Sequence, residues 1–404
     1  MLLCGVVPTV AVALLSLVRP AFITHFEYGV YDRLTRAISP HRPGGRVAIV
    51  DVDEKSLAAV GQWPWSRDTV ATLLSKIRAL GAPTIGVDVI FAESDRRGGE
   101  DGEADAALAR TLREGRVVLG YAMRFDGEPD AGTCAPPPLG LSIAQHDGGD
   151  DPVFRATGAI CSLPELTAAA GAQGFLNAAP DSDGILRRVP LLVRLGDGTY
   201  PSLALATVAA MTGTQNVTLR VENGNANTLL VNGHEVPLDG KSNLLVRYRG
   251  KKNAFRYVSA ADVMANRVPA GSFNDTLVMV GTTALGTREV VATPLDTLFV
   301  GVEVQATVAD NLLQRDFFGR PQHAVTIETL LVLLLGVGAT MAVRRLGGMW
   351  GTGAVVAGIA AVWVGCGMLL SWTGTFLSPL FPTLGLGTSL AAMTIAGLVV
   401  ERRR

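Results

Sequence analysis

The sequence predicts an α/β domain, with a mixed, partly parallel sheet and flanking helices, set between helical segments that belong in a membrane. Three observations carry this. Apolar runs of buried-strand type alternate with 3.6-residue apolar stripes through the middle of the chain. Charge is almost absent from residues 1–18 and from 324–400. The stretch between, 20–323, holds 29 basic and 34 acidic residues, so the ends and the middle of this 404-residue chain suit different solvents. A middle region with net charge -5 offers no basic surface for nucleic acid.

The elements follow in order. Residues 2–18 are apolar, with no basic segment before them and no small-residue cleavage site before Arg19-Pro20, so 1–19 reads as an uncleaved transmembrane signal anchor. "RVAIVDV" is a buried strand, and "SRDTVATLLSKIRALG" follows as an amphipathic helix with Val70, Leu73, Leu74, Ile77 and Leu80 on one face. Ser66 or Asp68 can cap that helix and Gly81 ends it. "PTIGVDVIF" is a second buried strand, making 46–91 a βαβ unit. A helix with Ala104, Leu108 and Leu112 then leads into the strand "RVVLGYAM".

Ligands of open parallel sheets bind beyond the carboxyl ends of the strands. Asp51, Asp53, Asp88 and Asp95 fall at or just after such ends, with Arg67 at the start of the intervening helix. Carboxylates gathered there need a cation, hydrogen bonds or raised pKa values, and Arg67 is the expected offset. Trp63 and Trp65 in "GQWPWSR" read as core plugs. Residues 124–172 have the Pro, Gly and Asp content of an irregular insertion or lid. Cys134 and Cys161, the only two cysteines of the middle region, flank part of it and can pair in an oxidising compartment.

From residue 173 the pattern is that of β-hairpins: strand, turn at 181–184, strand, turn at 196–198, then a helix carrying Leu203, Leu205, Val208 and Ala209. "DSDG" lacks the further ligands of a calcium loop, so Asp181, Asp183 and Gly184 read as a turn whose side chains bond the backbone. Arg187 and Arg188 alternate, placing one of them toward the core. "AADVMANRV" is a short helix, "TLVMVGTT" a buried strand ending in a Gly-Thr-Thr loop, and "GVEVQATVADNLLQRDFF" an amphipathic helix. The Gly-Thr-Thr loop, which includes Thr282, can present N–H groups to an anion but is no Walker loop. Three spans of about 20 residues follow at 324–343, 349–371 and 381–400, long enough for the ~30 Å hydrocarbon core. Arg344, Arg345 and the closing "ERRR" put both of those ends in the cytoplasm, the uncharged 372–381 link outside, and 20–323 outside as well.

"YDRLTR", "VAIVDVDEKSLAAVGQWPWSR", "IGVDVIFAESD", "NAAPDSDGILRRVPLL", "YPSLAL", "LVMVGTTALG", "TPL" and "GVEVQATVADNLL" occur in an order and spacing that resembles the second type of CHASE sensory domain over about residues 25–318, with the trailing three-span block. The resemblance implies a bacterial inner-membrane receptor. Its extracytoplasmic domain would sense an unknown ligand, and the output would be a cyclase or kinase that works as a homodimer. No cofactor, metal or catalysis is expected in this chain. Its 401–404 tail stops where an effector would begin, so the effector is either cut away or a separate partner. Trp63, Trp65, Asp181, Asp183, Gly184, Arg187, Gly301 and Glu303 belong to the motifs that carry the likeness, while Asp51, Asp53, Arg67, Asp88 and Thr282 are the candidate ligand rim. Gln305 stands where relatives often carry His, and Glu289 where Asp is commoner. Two other classes remain: a membrane-anchored scaffold, and a phosphatase with Asp51 as nucleophile and Asp53 as general acid. The phosphatase also needs a lysine beyond "MVGTT", and none follows Lys252.

Overall fold

The computed structural model describes residues 2–38, 40–95, 102–128, 140–145, 151–223, 226–286 and 289–402. The chain forms two compact units, one from Met1–Ser39 with Phe318–Arg404, the other from Pro40–Phe317. The second begins later than the sequence suggests, because the helix Ala21–Ala37 packs with the apolar segments.

The Pro40–Phe317 unit is built on one twisted sheet. Its strands run in the order Arg256–Ser259, Val47–Val52, Leu277–Thr282, Thr84–Val87, Val117–Arg124, Ala172–Phe175, and all these pairings are parallel. The expected βαβ unit exists, yet its two strands are not neighbours: Leu277–Thr282 lies between them. Period-two alternation divides each central strand between two cores. Val47, Ile49, Leu277 and Met279 feed the face covered by Leu203–Thr212 and Gly301–Gln314. Ala48, Val50, Val52, Val278 and Val280 feed the opposite face, under Arg67–Ala79 and Glu103–Arg113. Strands buried on both faces need continuous apolar runs, which is how they read in the sequence.

Two expectations change here. The strand Ala172–Phe175 does not form a hairpin across the 181–184 turn; it joins the central sheet beside Val117–Arg124, while Arg188–Pro190 pairs with Asn243–Leu245. The Leu192–Leu195 and Gly198–Pro201 hairpin forms as expected. Nor is the 124–172 stretch irregular where it is described. It contributes the strands Gly140–Gln145, Phe154–Ala156 and Gly158–Ile160 and the helix Pro164–Ala169. The partners are distant in sequence, Asn216–Asn223 for the first and Leu192–Leu195 for the second, so local composition carries no trace of them. Cys161 is disulfide-bonded. Cys134 lies outside the described residues, and Cys4 and Cys366 are free.

In the other unit, helix Ala324–Thr373 is 50 residues long, about 75 Å if straight. It is not straight. Gly347 takes φ 80° and ψ 174°, and a Cβ on Gly351 would lie 2.5 Å from the Cα of Val343. Residues eight apart approach that closely only if the chain turns back, so the helix is two arms of a hairpin, each long enough to cross a bilayer. Ala339 and Val355 from the two arms pack with Leu386 of Leu380–Arg402. At the far end Gly319 N–H donates to the Gly374 carbonyl and Phe376 N–H to that of Gly319, which returns the second arm to the level where the first began. Leu2–Val18 packs against these helices through the Thr9–Ser389 and Ser16–Thr329 hydroxyl pairs, each 2.8 Å. Glu328, fully buried, is held by Arg19, by Arg320 at 2.9 Å and by the Ser378 N–H at 2.8 Å.

Candidate functional site

The five residues of the expected rim separate into three places. Asp51 stands in register with Ser259 on one side and Gly281 on the other, at the carboxyl end of its strand. Its two oxygens accept the Thr283 N–H at 3.0 Å and the Thr283 hydroxyl at 2.5 Å. Burial raises its pKa, the Thr283 hydroxyl opposes that, and the charge of Asp53 adds to it, leaving Asp51 at about 6. The anion that the Gly-Thr-Thr loop receives is therefore the protein's own carboxylate. Asp53 caps helix Glu54–Val60 through the Ser56 N–H at 2.8 Å, and the hydroxyls of Ser56 and Ser259 also donate to it.

Arg67 belongs to neither. Its Nη2 donates to the Glu93 carbonyl at 3.0 Å, its Nε lies 3.6 Å from Asp105, and its guanidinium stacks 4.6 Å from the Phe91 ring centre. Asp95 accepts the Arg67 N–H at 2.7 Å at the start of the helix. The offset expected for Asp51 and Asp88 is spent on Asp105, in the first turn of helix Glu103–Arg113.

Asp88 and Thr282 do come together, in a cavity of about 430 Å³ at the carboxyl ends of four strands. Trp63, Asn177, Glu289 and the first turn of helix Gly301–Gln314 complete its wall. Trp63 is thus a wall residue, whereas Trp65 is buried with its Nε1–H on the Gly61 carbonyl. Thr84–Val87 is held in the sheet up to its end by the Asp88 N–H, which donates to the Val280 carbonyl at 2.8 Å. Among the described residues the Asp88 carboxyl has no hydrogen-bond or ion-pair partner. Burial, and then the neighbouring Glu289 charge, push it up to about 7. Gln305 at the cavity wall accepts the Ala204 N–H and donates to the Leu176 carbonyl, both at 3.2 Å, so its amide satisfies a donor and an acceptor of the backbone at once.

The Gly301–Gln314 helix is fixed at both ends. Near its start Glu303, fully buried, accepts the N–H groups of Asn253 and Ala254 and the Tyr257 hydroxyl at 2.9–3.0 Å. Burial still holds its pKa above the usual range against these bonds. Near its end a charged cluster forms that sequence reading missed. Arg249, its side chain fully buried, bonds Asp310 at 2.7 Å and Asp316 at 2.5 Å; Arg247 bonds the other Asp316 oxygen at 2.7 Å. His41 joins from the incoming segment, 3.0 Å from Asp316 and 2.9 Å from Arg247, and Gly44 N–H donates to Asp310. The alternating arginines of "VRYRG" were the available signal, but their partners lie more than sixty residues away.

The turn at 181–184 is closed by Gly184 N–H on the Asp181 carbonyl, with Gly184 at φ 82°. Arg187 is 1% exposed and bonds Asp183 through both terminal nitrogens and Asp181 through one; Arg188 stays half-exposed between Asp181 and Asp239. Among the described residues no three His, Cys, Asp or Glu side chains converge as a metal site.

This sheet, its edge motifs and the apolar helices match one known family: the CHASE2 domain profile covers residues 8–343. The chain belongs to the CHASE2 family. CHASE2 is an extracellular sensory domain rather than a catalytic one. Comparison with curated proteins and with solved structures gave no match.

Proposed function

We propose that this chain is a multi-pass membrane receptor whose CHASE2 domain lies outside the cytoplasm, takes a small ligand in the Asp88 cavity and passes the signal inward through the Gly301–Gln314 helix. The observation that carries this reading is that one helix lines the cavity with its first turn and enters the Arg249 cluster with its last, nine residues before the first apolar arm begins at Ala324. A ligand biases such an arrangement only by its difference in affinity between two states, and Asp88, whose carboxyl has no partner among the described residues, supplies a group whose interactions change when the cavity fills.

The membrane topology fits the hairpin. Two arms and Leu380–Arg402 make three crossings, so the basic residues Arg344, Arg345 and Arg402 lie on the cytoplasmic side and 372–381 outside. A cytoplasmic cyclase or kinase, as a following domain or a separate partner, and a homodimeric receptor complete this reading. The phosphatase alternative finds no support in the geometry, since Thr283, Ser56 and Ser259 occupy the Asp51 and Asp53 oxygens as structural donors.

The test is a chimera with a reporter cyclase joined after Arg402. Asp88→Asn should shift its basal output at least threefold, whereas Glu114→Gln, exposed and absent from the cavity wall, should not. Equal output from the parent and both variants, at equal amounts in the membrane, would remove the cavity from the signalling path. Labelling of a cysteine placed at Asp197 only from the cytoplasmic side would overturn the topology.

A further inference from the structure

Resting on the cavity reading above, we infer that the cavity selects a small organic ammonium ion, its cationic centre seated at Gly301 between Asp88 and Glu289 and its apolar part against Trp63 and Val302. The wall carries two carboxylates, Asp88 and Glu289, and among the described residues no lysine, arginine or histidine. Arg67, the nearest cation by sequence logic, is engaged with Asp105. Among the described residues, then, nothing on the wall offsets the repulsion that an anionic ligand meets from these two carboxylates, and a cation removes it.

Gly301 gives this charge a definite seat. A point one Cβ distance from its backbone lies 3.8 Å from the Glu289 Cβ and 3.9 Å from the Asp88 Oδ2, the nearest atoms among the described residues outside the helix backbone and the residues that flank Gly301 in the chain. The glycine thus leaves a notch, open and flanked by both acids, at the very start of the helix. The positive end of a helix would ordinarily favour an anion there. Here the Gly301 N–H is already taken by the Glu289 carbonyl, and the two acids outweigh what remains. Trp63 adds an aromatic wall of the kind that attracts ammonium groups. The other walls, Val89, Ile90, Val302 and Val304 among them, suit a short hydrocarbon, and 430 Å³ lies within the range of small-molecule sites. Since Asp88 is pushed up to about 7, a cation in the notch competes with a proton, so its affinity should climb as the pH rises through 7 and then level off.

The experiment uses the full chain in nanodiscs and three probes of one shape and different charge: n-butylammonium, 1-butanol and butyrate. Thermal shift and tryptophan fluorescence at pH 7.5 should show butylammonium binding at least tenfold tighter than 1-butanol, with no response to butyrate. Gly301→Ala, whose methyl group fills the notch in ordinary van der Waals contact, should cost butylammonium tenfold and leave 1-butanol within twofold. Asp88→Asn should abolish the rise of affinity with pH. Equal binding of butylammonium and 1-butanol, both displaced by blocking the cavity with Thr282→Trp, would overturn the ammonium assignment and leave the cavity standing. No response to any probe, with parent and Thr282→Trp indistinguishable, would overturn both.

Discussion

Asp88 shows how one side chain can set the behaviour of a site. In the unfolded chain its carboxyl titrates near 3.8; in the cavity it is pushed up to about 7. The folded form therefore holds a proton between those values that the unfolded form has lost, and stability falls as the pH rises from about 4 to 7, by linkage on the order of 4 kcal/mol. Asp51, raised to about 6 by burial, adds a slope of the same sign. The full chain in detergent should melt at a lower temperature at pH 7.5 than at pH 5, and Asp88→Asn should flatten most of that difference. A melting point that rises between pH 5 and 7.5 would contradict the half-buried state of this carboxyl, which has no partner among the described residues. Arg187 represents the opposite case, a charge fully buried but paired with Asp181 and Asp183. Arg187→Ala leaves Asp183 without its cation and Asp181 with Arg188 alone, and should cost about 3–5 kcal/mol in denaturant melts, the range for breaking a buried pair from one side. That one of Arg187 and Arg188 turns toward the core was legible in their alternation; which of the two was not. The role of Arg67 was not, because the sequence places it near four acids and only the path of the following loop decides which of them it meets.

Among the elements, those that read best were the ones whose pattern is a local cause of their structure. The central strands are apolar because both faces are covered, and the helix Arg67–Ala79 shows its stripe because one face is. Elements fixed by remote partners were illegible: Gly140–Gln145 exists through Asn216–Asn223, and Leu277–Thr282 enters between two strands that local reading makes neighbours. The apolar hairpin is a mixed case. Its two arms were legible from length, while the tightness of the turn rests on Gly347, at a φ and ψ that side chains other than hydrogen rarely adopt, and on the close approach at Gly351. Gly347→Val should cost about 1–3 kcal/mol of hairpin stability, and Gly351→Leu should push the arms apart. Both should lower the yield of membrane-inserted protein relative to Gly353→Ala, where a Cβ meets nothing within 4 Å; equal yields of all three would argue against the fold-back.

For the molecule as a whole, the cluster of Arg247, Arg249, Asp310, Asp316 and His41 gathers both ends of the Pro40–Phe317 unit into one place. Arg249→Ala leaves the fully buried Asp310 without its cation, while Asp316 keeps Arg247 and His41, and should lower the thermal midpoint of the full chain; in the reporter chimera it should also shrink the change in output caused by Asp88→Asn by at least half. An undiminished change in a folded Arg249→Ala chimera would show that the signal leaves the unit by another route. The same 3.0 Å approach of His41 to Asp316 has a consequence for engineering. A polypeptide whose first and last residues meet is nearly a closed ring, and where the ring is cut matters little so long as the cut falls on an exposed turn. Joining Phe317 to Pro40 through a few glycines and reopening the backbone at the exposed turn after Gly196 should yield a circular permutant with an unchanged far-ultraviolet spectrum. By the same token, the native unit should tolerate insertion as a cassette into a surface loop of an unrelated host, with no spacer to bridge its ends.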